Sequence, residues 1–320
     1  MKTRLLHARS SRQSGFNLVE LMISMLLGLL VVGAAVGIFL SNRKTYAATE
    51  SLSRIQESAR IAFEMMARDI REAGGNPCDS GLPVANVLAN PTETWWKNWA
   101  QPLQGFENSS PPGDTSKSGT DAIQILSASA GGTTVVAHNA ATQTLTLDAA
   151  APDLHANAVM LLCDRQQLAV LQADGVSGTS VTYASGALNA CNRLGRLPGV
   201  CVAGSNSYAY EMNSLLTELR AVRWYLADNK RGGTSLYQSV LGPGGTVTAN
   251  EITEGVSNLQ FKYLLTGASA YEDGSAAMNW TNVVAVKITM TVNSTDATGS
   301  NNAPLARDVT TIVSIRNRNS

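Results

Sequence analysis

Two positions near the N-terminus have the residue types and spacing to do chemistry. Gly15 precedes Phe16 at the junction between a polar, cationic segment and an apolar one. Glu20 lies at the edge of the apolar run that extends from Leu21 to Leu40. A bond after a small residue at such a junction is a candidate for proteolytic cleavage. A lone carboxylate beside hydrocarbon needs a partner, so the sequence indicates processing and charge pairing.

The apolar run has the length and composition of a membrane-spanning helix. It contains no charge and no proline, and its residues would rise about 30 Å as a helix, the thickness of a bilayer core. The first 15 residues contain four cations and no acid, whereas Arg43 and Lys44 follow the apolar run. The excess of positive charge on the first flank predicts a cytoplasmic N-terminus and an exported C-terminal part.

Cleavage after Gly15 would differ from removal of an ordinary secretory signal, whose cleavage site follows the apolar stretch. The helix would stay attached, and Phe16 would become the new N-terminus, with Glu20 as the fifth residue. The free amine of Phe16, in the same chain or in a neighbour, is then the nearest charge for Glu20. The alternative is that Glu20 lies among lipid headgroups beside the cations of the leader.

Three glycines interrupt the apolar run at Gly28, Gly33 and Gly37. The last two form a GxxxG spacing, which allows close approach of another helix. Glycines are also common in membrane helices without any such role, so both interpretations stay open.

The stretch GFNLVE from Gly15 to Glu20, followed by the apolar run, resembles the processing motif of type IV prepilins and type II pseudopilins. The resemblance implies cleavage after Gly15 by prepilin peptidase and N-methylation of Phe16. It also implies that Glu20 aligns the subunit with a neighbour during assembly. The implied location is the inner membrane, in contact with its assembly platform, and then the pilus at the cell surface.

Helical periodicity continues beyond the membrane run. Apolar residues recur at steps of three and four, and charged residues, including Arg60, Glu64 and Asp69, take the other positions. The sequence GGNP from Gly74 predicts that the helix ends near Ala73. The predicted apolar face comprises Leu52, Ile55, Ala59, Ala62, Phe63, Met66, Ile70 and Ala73.

The rest of the chain, after the helix, contains short apolar runs separated by turn signals, a pattern that predicts strands. Alternation from Val284 to Val292 predicts a sheet with one buried face. Residues 208–212 are another expected strand, and residues 251–256 are expected to form only a short bridge. Residues 76–120 are predicted to be a loop. The predicted fold is α+β, a long N-terminal helix packed on a mainly antiparallel sheet. Four segments are expected: a cleaved cytoplasmic leader (1–15), a transmembrane and assembly half-helix (16–40), an amphipathic periplasmic half-helix (41–75) and a β-rich periplasmic domain (76–320).

The loop contains three tryptophans, Trp95, Trp96 and Trp99. Exposed indoles could stack on sugars or nucleobases, whereas tryptophans in a long loop more often anchor it to a core. Lys97 is the only nearby cation, and the formal net charge of the chain is zero. Nucleic acid is therefore not an expected partner.

Four cysteines occur, without a CxxC pair. An even number in an exported chain predicts disulfides. Cys191 and Cys201 are close in sequence with glycine and proline between them, so they favour a small disulfide loop. Cys78 and Cys163 then pair by elimination, and free buried thiols are the alternative.

No residue pattern predicts catalysis, a cofactor or a metal site. His7 belongs to the leader, and His138 and His155 are isolated, which predicts solvent-exposed side chains. Glu272 and Asp273 offer only two carboxylates, fewer than a metal site requires. The GxSxG and phosphate-binding glycine motifs are absent from the sequence. A membrane-anchored enzyme is thus disfavoured.

Four segments of the chain carry a second resemblance, looser than the first: 157–170, 216–226 with 235–237, 254–263 and 280–292. They are similar to the PilW family of minor pilins. The resemblance implies a minor-pilin complex that primes pilus assembly, with other minor pilins and the major pilin as partners. Two alternatives remain, a minor pseudopilin of type II secretion and a pilus-tip adhesin or DNA-uptake receptor.

Overall fold

The computed structural model describes residue 15 and residues 17–79, 81–186, 188–195, 197, 200–202, 208–294 and 303–318. Within these residues it has one long helix, α1 (Leu18–Arg71), followed by sixteen strands. The strands are β1 (Val84–Asn86), β2 (Leu103–Phe106), β3 (Ala122–Ala128), β4 (Thr133–Asn139), β5 (Thr144–Leu147), β6 (Val159–Cys163), β7 (Leu168–Gln172), β8 (Gly175–Ser177), β9 (Ser180–Thr182), β10 (Ser214–Asp228), β11 (Thr234–Leu241), β12 (Val247–Glu254), β13 (Val256–Leu265), β14 (Glu272–Asp273), β15 (Val283–Asn293) and β16 (Ala306–Ser314).

Helix α1 contains 54 residues and is therefore about 80 Å long. Its first half is apolar on all sides, and its second half buries a single stripe, as the periodicity predicted. Within the helix the stripe differs from the expected one at three positions, because Leu52 is exposed whereas Ser51 and Asp69 are buried. Its buried members are Ser51, Ile55, Ala59, Ala62, Phe63, Met66, Asp69 and Ile70.

The helix ends two residues before the predicted position, and the chain leaves it through Gly74, whose φ of 72° lies in the left-handed region that glycine tolerates. The exit is fixed by backbone hydrogen bonds to β3. The Gly74 N–H donates to the Leu126 carbonyl (2.8 Å), and the Ala128 N–H donates to the Gly75 carbonyl (2.8 Å). The end of the helix and the sheet are thus joined directly.

Strand β10 is the longest strand and organises the larger, 12-stranded sheet. Its first residues pair with β4 and β6, and its later residues pair with β3 and β11. Pairing is antiparallel throughout the described ladders except between β1 and β7, which are parallel. A 4-stranded antiparallel sheet in the order β14-β13-β15-β16 lies beside it. The α+β expectation with a mainly antiparallel sheet is therefore confirmed.

The main core lies between α1, the smaller sheet and one face of β2, β3, β10 and β11. In β15 the predicted alternation holds from Val286 onward, since Val286, Ile288, Met290 and Val292 are all buried. Val284 is only half-buried, next to a register shift in the β13–β15 ladder. A second core lies among β4–β7 and β9, and a third lies under the tryptophans.

Three expectations for the strands were wrong. Residues 208–212 form no strand, because the Tyr208 N–H donates to the Leu194 carbonyl and the Tyr210 N–H donates to His138 Nδ1 instead of a ladder. Residues 247–254 form the full strand β12, whose side chains are mostly exposed and so lack an apolar pattern. The expected loop 76–120 contains β1, β2 and a short 3-10 helix at Trp95–Lys97.

Candidate functional site: the N-terminal helix and its docking face

From Leu21 to Leu40, the first half of α1 presents an uncharged and predominantly apolar surface to the outside. Every described residue from 17 to 46 is exposed, and Leu29, for example, is 77% exposed. Among the described residues, α1 is the one helix long and apolar enough to cross a membrane, with a mean hydropathy of 2.6 in its most apolar window and none of that window buried. Such a surface requires lipid or other helices around it.

Gly15 and Glu20 lie at the start of this half. Gly15 is exposed, with open space around the position of a Cβ atom. Phe16 and residues 1–14 of the predicted leader lie outside the described residues. Glu20 occupies the first turn of α1 and is exposed, where a negative charge complements the helix dipole. Within the described part of the chain, its carboxylate has no hydrogen-bond or ion-pair partner. Cleavage, methylation and charge pairing stay predictions.

Within the described residues, the three glycines of the apolar half have no packing neighbour. A Cβ atom at Gly28, Gly33 or Gly37 would meet nothing within 4 Å. A specific role in packing would therefore need a second helix.

The opposite end of α1 is fixed to the β domain by Asp69. Its Oδ1 accepts hydrogen bonds from Arg220 Nε (3.0 Å) and Nη2 (2.9 Å). Its Oδ2 accepts from Trp224 Nε1 (3.0 Å) and Gln238 Nε2 (2.8 Å). Arg220 and Trp224 belong to β10, and Gln238 is the neighbour of Trp224 across the ladder to β11. Four directional bonds thus hold one carboxylate of the helix against two strands.

Sequence reasoning placed Asp69 on the solvated face of the helix and missed this site. An aspartate inside a run of charged residues looks like an ordinary surface residue. Its steps of three from Met66 and of seven from Ala62 put it on the apolar stripe, and this was the available signal. The donors lie about 150 residues further along the chain, so their convergence was not visible.

The three tryptophans have different environments. Trp96 and Trp99 are 5% and 7% exposed and pack into the third core. Trp95 is half-buried, and the guanidinium carbon of Arg223 lies 4.3 Å from its ring centroid. Trp95 and Trp96 also line an open cleft together with Arg223.

Both expected disulfides are present. Cys78 is bonded to Cys163, and Cys191 is bonded to Cys201. The first bond ties the segment that follows α1 to strand β6, and the second closes a short loop. The alternative of free thiols is thereby excluded among the four cysteines.

His138 is not the solvent-exposed residue that the sequence suggested. Its Nδ1 accepts the Tyr210 N–H (3.1 Å), so its Nε2 carries the proton of the neutral ring and donates to the Tyr183 hydroxyl (2.7 Å). Burial lowers the pKa of His138 and raises the pKa of Tyr183 to about 12. His155 does have an exposed side chain, which lies 2.9 Å from Glu218 Oε1.

Carboxylates also gather near β14, without forming a metal site. Burial, followed by the charges of Asp121 and Asp273, raises the pKa of Glu107. Asp121 accepts backbone N–H groups of Asn108 and Phe261, and its pKa is likewise raised chiefly by burial. Asp273 pairs with Lys262 at 2.6 Å. In the described ranges no three His, Cys, Asp or Glu side chains are grouped to hold a metal ion.

Taken together, the exposed apolar half-helix, the docked half-helix and the antiparallel sheets are consistent with the α+β fold of pilins. Residues 223–317 match a family model described as PilW, type IV pilus-assembly protein W. The matched region extends from β10 to the C-terminal turn and includes the smaller sheet that packs on α1. No curated protein and no solved structure matches the chain significantly. The family match supports a type IV pilus assembly-related protein with a membrane-anchoring helix.

Proposed function

We propose that this protein is a minor pilin that prepilin peptidase cleaves after Gly15 and that helps to initiate and assemble a type IV pilus. It would act in a complex with other minor pilins, at or near the tip, and contact the major pilin. The observation that carries the proposal is α1 itself. One continuous helix has a wholly exposed apolar half and a second half fixed to the β domain.

An exposed apolar half-helix suits a subunit that moves from membrane to filament. In the inner membrane, lipid covers the surface from Leu18 to Leu40. In a filament, the helices of neighbouring subunits cover the same surface. Transfer between two apolar environments costs little in hydrophobic free energy, so packing and polar contacts decide where the subunit goes. Gly28, Gly33 and Gly37 would then allow close contacts with neighbouring helices.

Glu20 provides the polar contact in this proposal. Its carboxylate has no partner in the described part of the chain, and burial of an unpaired charge among apolar helices costs several kcal/mol. After cleavage, the amine of Phe16 in the same chain or in a neighbour can neutralise it. Only one axial position of adjacent helices brings these groups together, so the pair would select the register of assembly.

The test is mass spectrometry of sheared, purified pili. We expect a mature chain that begins at Phe16 with a methylated amine. Glu20→Ala should be cleaved and inserted into the membrane normally, but its amount in pili should fall at least about tenfold, the change that ~1.4 kcal/mol of lost pairing produces. Glu57→Ala, which removes an exposed glutamate from the second half of the helix, is the matched control and should assemble normally.

Two outcomes would contradict the proposal. A mature N-terminus at another residue would reject the cleavage site, and normal incorporation of Glu20→Ala would reject the charge pair. If the protein were missing from pili and its deletion stopped secretion of exported enzymes, the type II pseudopilin alternative would replace this one.

A further inference from the structure

An open cleft of about 480 Å³ lies under the tryptophan loop. We name it the Trp95 cleft and define it by Trp95, Gln104, Phe106, Gln124 and Arg223. Its volume falls in the usual range for small-ligand sites, which are typically about 300–1,000 Å³. Two aromatic rings and several planar polar groups therefore meet in a space that fits one or two sugar rings.

The polar floor of the cleft is a row of side chains across three strands. Gln104 of β2 is the ladder partner of Gln124 in β3, which is the partner of Arg223 in β10. Gln124 Nε2 donates to Gln104 Oε1 (3.2 Å), and Arg223 Nη2 donates to Gln124 Oε1 (3.2 Å). Each amide has more donor and acceptor capacity than these bonds use. The floor is thus oriented in advance and can still bind hydroxyl groups.

Arg223 holds the aromatic wall in place. It is 2% exposed, and its Nη1 donates to Asp114 Oδ2 (2.6 Å) and to the Pro112 carbonyl (2.8 Å). Its guanidinium lies 4.3 Å from the Trp95 ring centroid, a cation–π distance that favours a fixed ring. Its buried Nε–H has no hydrogen-bond partner among the described residues. An unsatisfied donor in a buried group is costly.

The charges of the lining exclude a polyanion. The charge of Arg223 is balanced by Asp114, and Glu93 at the rim adds a negative charge. Nucleic-acid sites need a surplus of cations for the phosphates, and the lining has none. A neutral ligand rich in hydroxyl groups suits amide donors and acceptors, and its C–H faces suit the negative face of an aromatic ring.

We infer that the Trp95 cleft binds a neutral saccharide, with a pyranose ring against Trp95 and its hydroxyl groups on the half-buried amide of Gln104, which the buried Gln124 orients. Successive residues of a strand point to opposite faces. Trp224 contacts Asp69 of the helix, so Arg223 and the cleft lie on the other face of the sheet. Binding there does not compete with docking of α1 and is a property beyond the assembly role proposed above.

The test uses the full chain in a zwitterionic detergent that carries no sugar headgroup. The probes are cellobiose and the methyl glycosides of glucose, galactose and N-acetylglucosamine, followed by saturation-transfer NMR and tryptophan fluorescence. We expect at least one probe to saturate with a Kd on the order of 1 mM, which is normal for one or two rings.

Paired variants separate the cleft from the packing of the loop. Trp95→Leu should weaken binding at least tenfold with a small change in Tm. Trp99→Leu removes a buried indole outside the cleft, so it should lower the Tm more and leave the Kd unchanged. Gln104→Ala, on the half-buried floor, should weaken binding; because it also removes the acceptor of the buried Gln124 amide, its Tm should fall, but by less than in Trp99→Leu.

The inference would be overturned by failure of all probes to bind, or by unchanged binding in both Trp95→Leu and Gln104→Ala. Trp95-dependent binding of an oligothymidylate in place of the sugars would assign the cleft to nucleic acid instead. Because the cleft faces away from α1, Trp95→Leu should still enter pili. The saccharide site and the assembly role can therefore fail separately.

Discussion

Replacement of Asp69 tests how the helix is held on the β domain. In Asp69→Ala, the helix keeps its apolar stripe but loses the acceptor of four hydrogen bonds from Arg220, Trp224 and Gln238. Trp224 and Gln238 are 0% and 5% exposed, so water does not replace the lost acceptor. The side chain of Arg220 is 31% exposed and is partly rehydrated.

The expected loss in the free energy of unfolding follows from how deeply these donors are buried. A buried donor left without an acceptor costs about 1–3 kcal/mol, and removal of one partner of a buried ion pair costs about 3–5 kcal/mol. The contributions overlap because all four bonds share one carboxylate. We therefore expect Asp69→Ala to lower the free energy of unfolding by about 4 kcal/mol. Asp69→Asn should cost about half as much, because its amide oxygen still accepts two of the bonds.

The assay is equilibrium urea unfolding of the full chain in detergent, followed by near-UV circular dichroism, which reports on the packing of Trp224. Glu64→Ala, which removes an exposed partner of Arg60 on the same helix, is the control and should unfold like the wild type. In a double-mutant cycle, Asp69→Ala and Arg220→Ala should be coupled by more than 1 kcal/mol. A loss below about 1 kcal/mol for Asp69→Ala would refute the reasoning, because it would mean that the buried donors find other partners.

Two more predictions concern pH and redox conditions. Burial lowers the pKa of His138 in the folded protein. The stability that the neutral His138 contributes is therefore complete above the pKa of the unfolded chain, about 6.5. As the pH falls from there toward the folded pKa, this stability is lost by up to ~1.4 kcal/mol per pH unit. His138→Gln should remove this slope in urea unfolding between pH 7 and 5, and an unchanged slope would assign it to another group. The disulfide between Cys78 and Cys163 spans 85 residues. The double variant Cys78→Ala with Cys163→Ala should lower the free energy of unfolding by about 4.5 kcal/mol, because the unfolded chain gains the entropy of an open loop. Cys191→Ala with Cys201→Ala, which opens a separation of only 10 residues, should cost about 2.7 kcal/mol; equal losses in urea unfolding would contradict this ordering.

The elements that could be predicted from sequence depend on local patterns. The extent of α1 followed from an uncharged run, a periodic stripe and the GGNP stop, and its end at Arg71 was two residues from the expected one. Strand β15 followed from clean alternation. The short disulfide followed from proximity along the chain, and the long one followed by elimination.

The features that were missed depend on contacts between distant segments. Strand β12 is exposed along most of its length and is recognisable only through its ladder with β11. His138 looked isolated because its partners, Tyr183 and Tyr210, are 45 and 72 residues away. The floor of the Trp95 cleft requires the registers of three strands, which no local pattern specifies.

Under the proposed function, Asp69 and Glu20 would have complementary tasks. An apolar stripe favours one face of a helix, but it tolerates axial shifts, because side chains of similar size recur at each turn. A carboxylate with four directional bonds has only one correct position, so Asp69 fixes where α1 lies on the sheets. The apolar half continues from that point in the same uninterrupted helix. The distance and direction from the β domain to Glu20 are therefore determined at Asp69, and a loosened Asp69 should impair assembly even when Glu20 is intact.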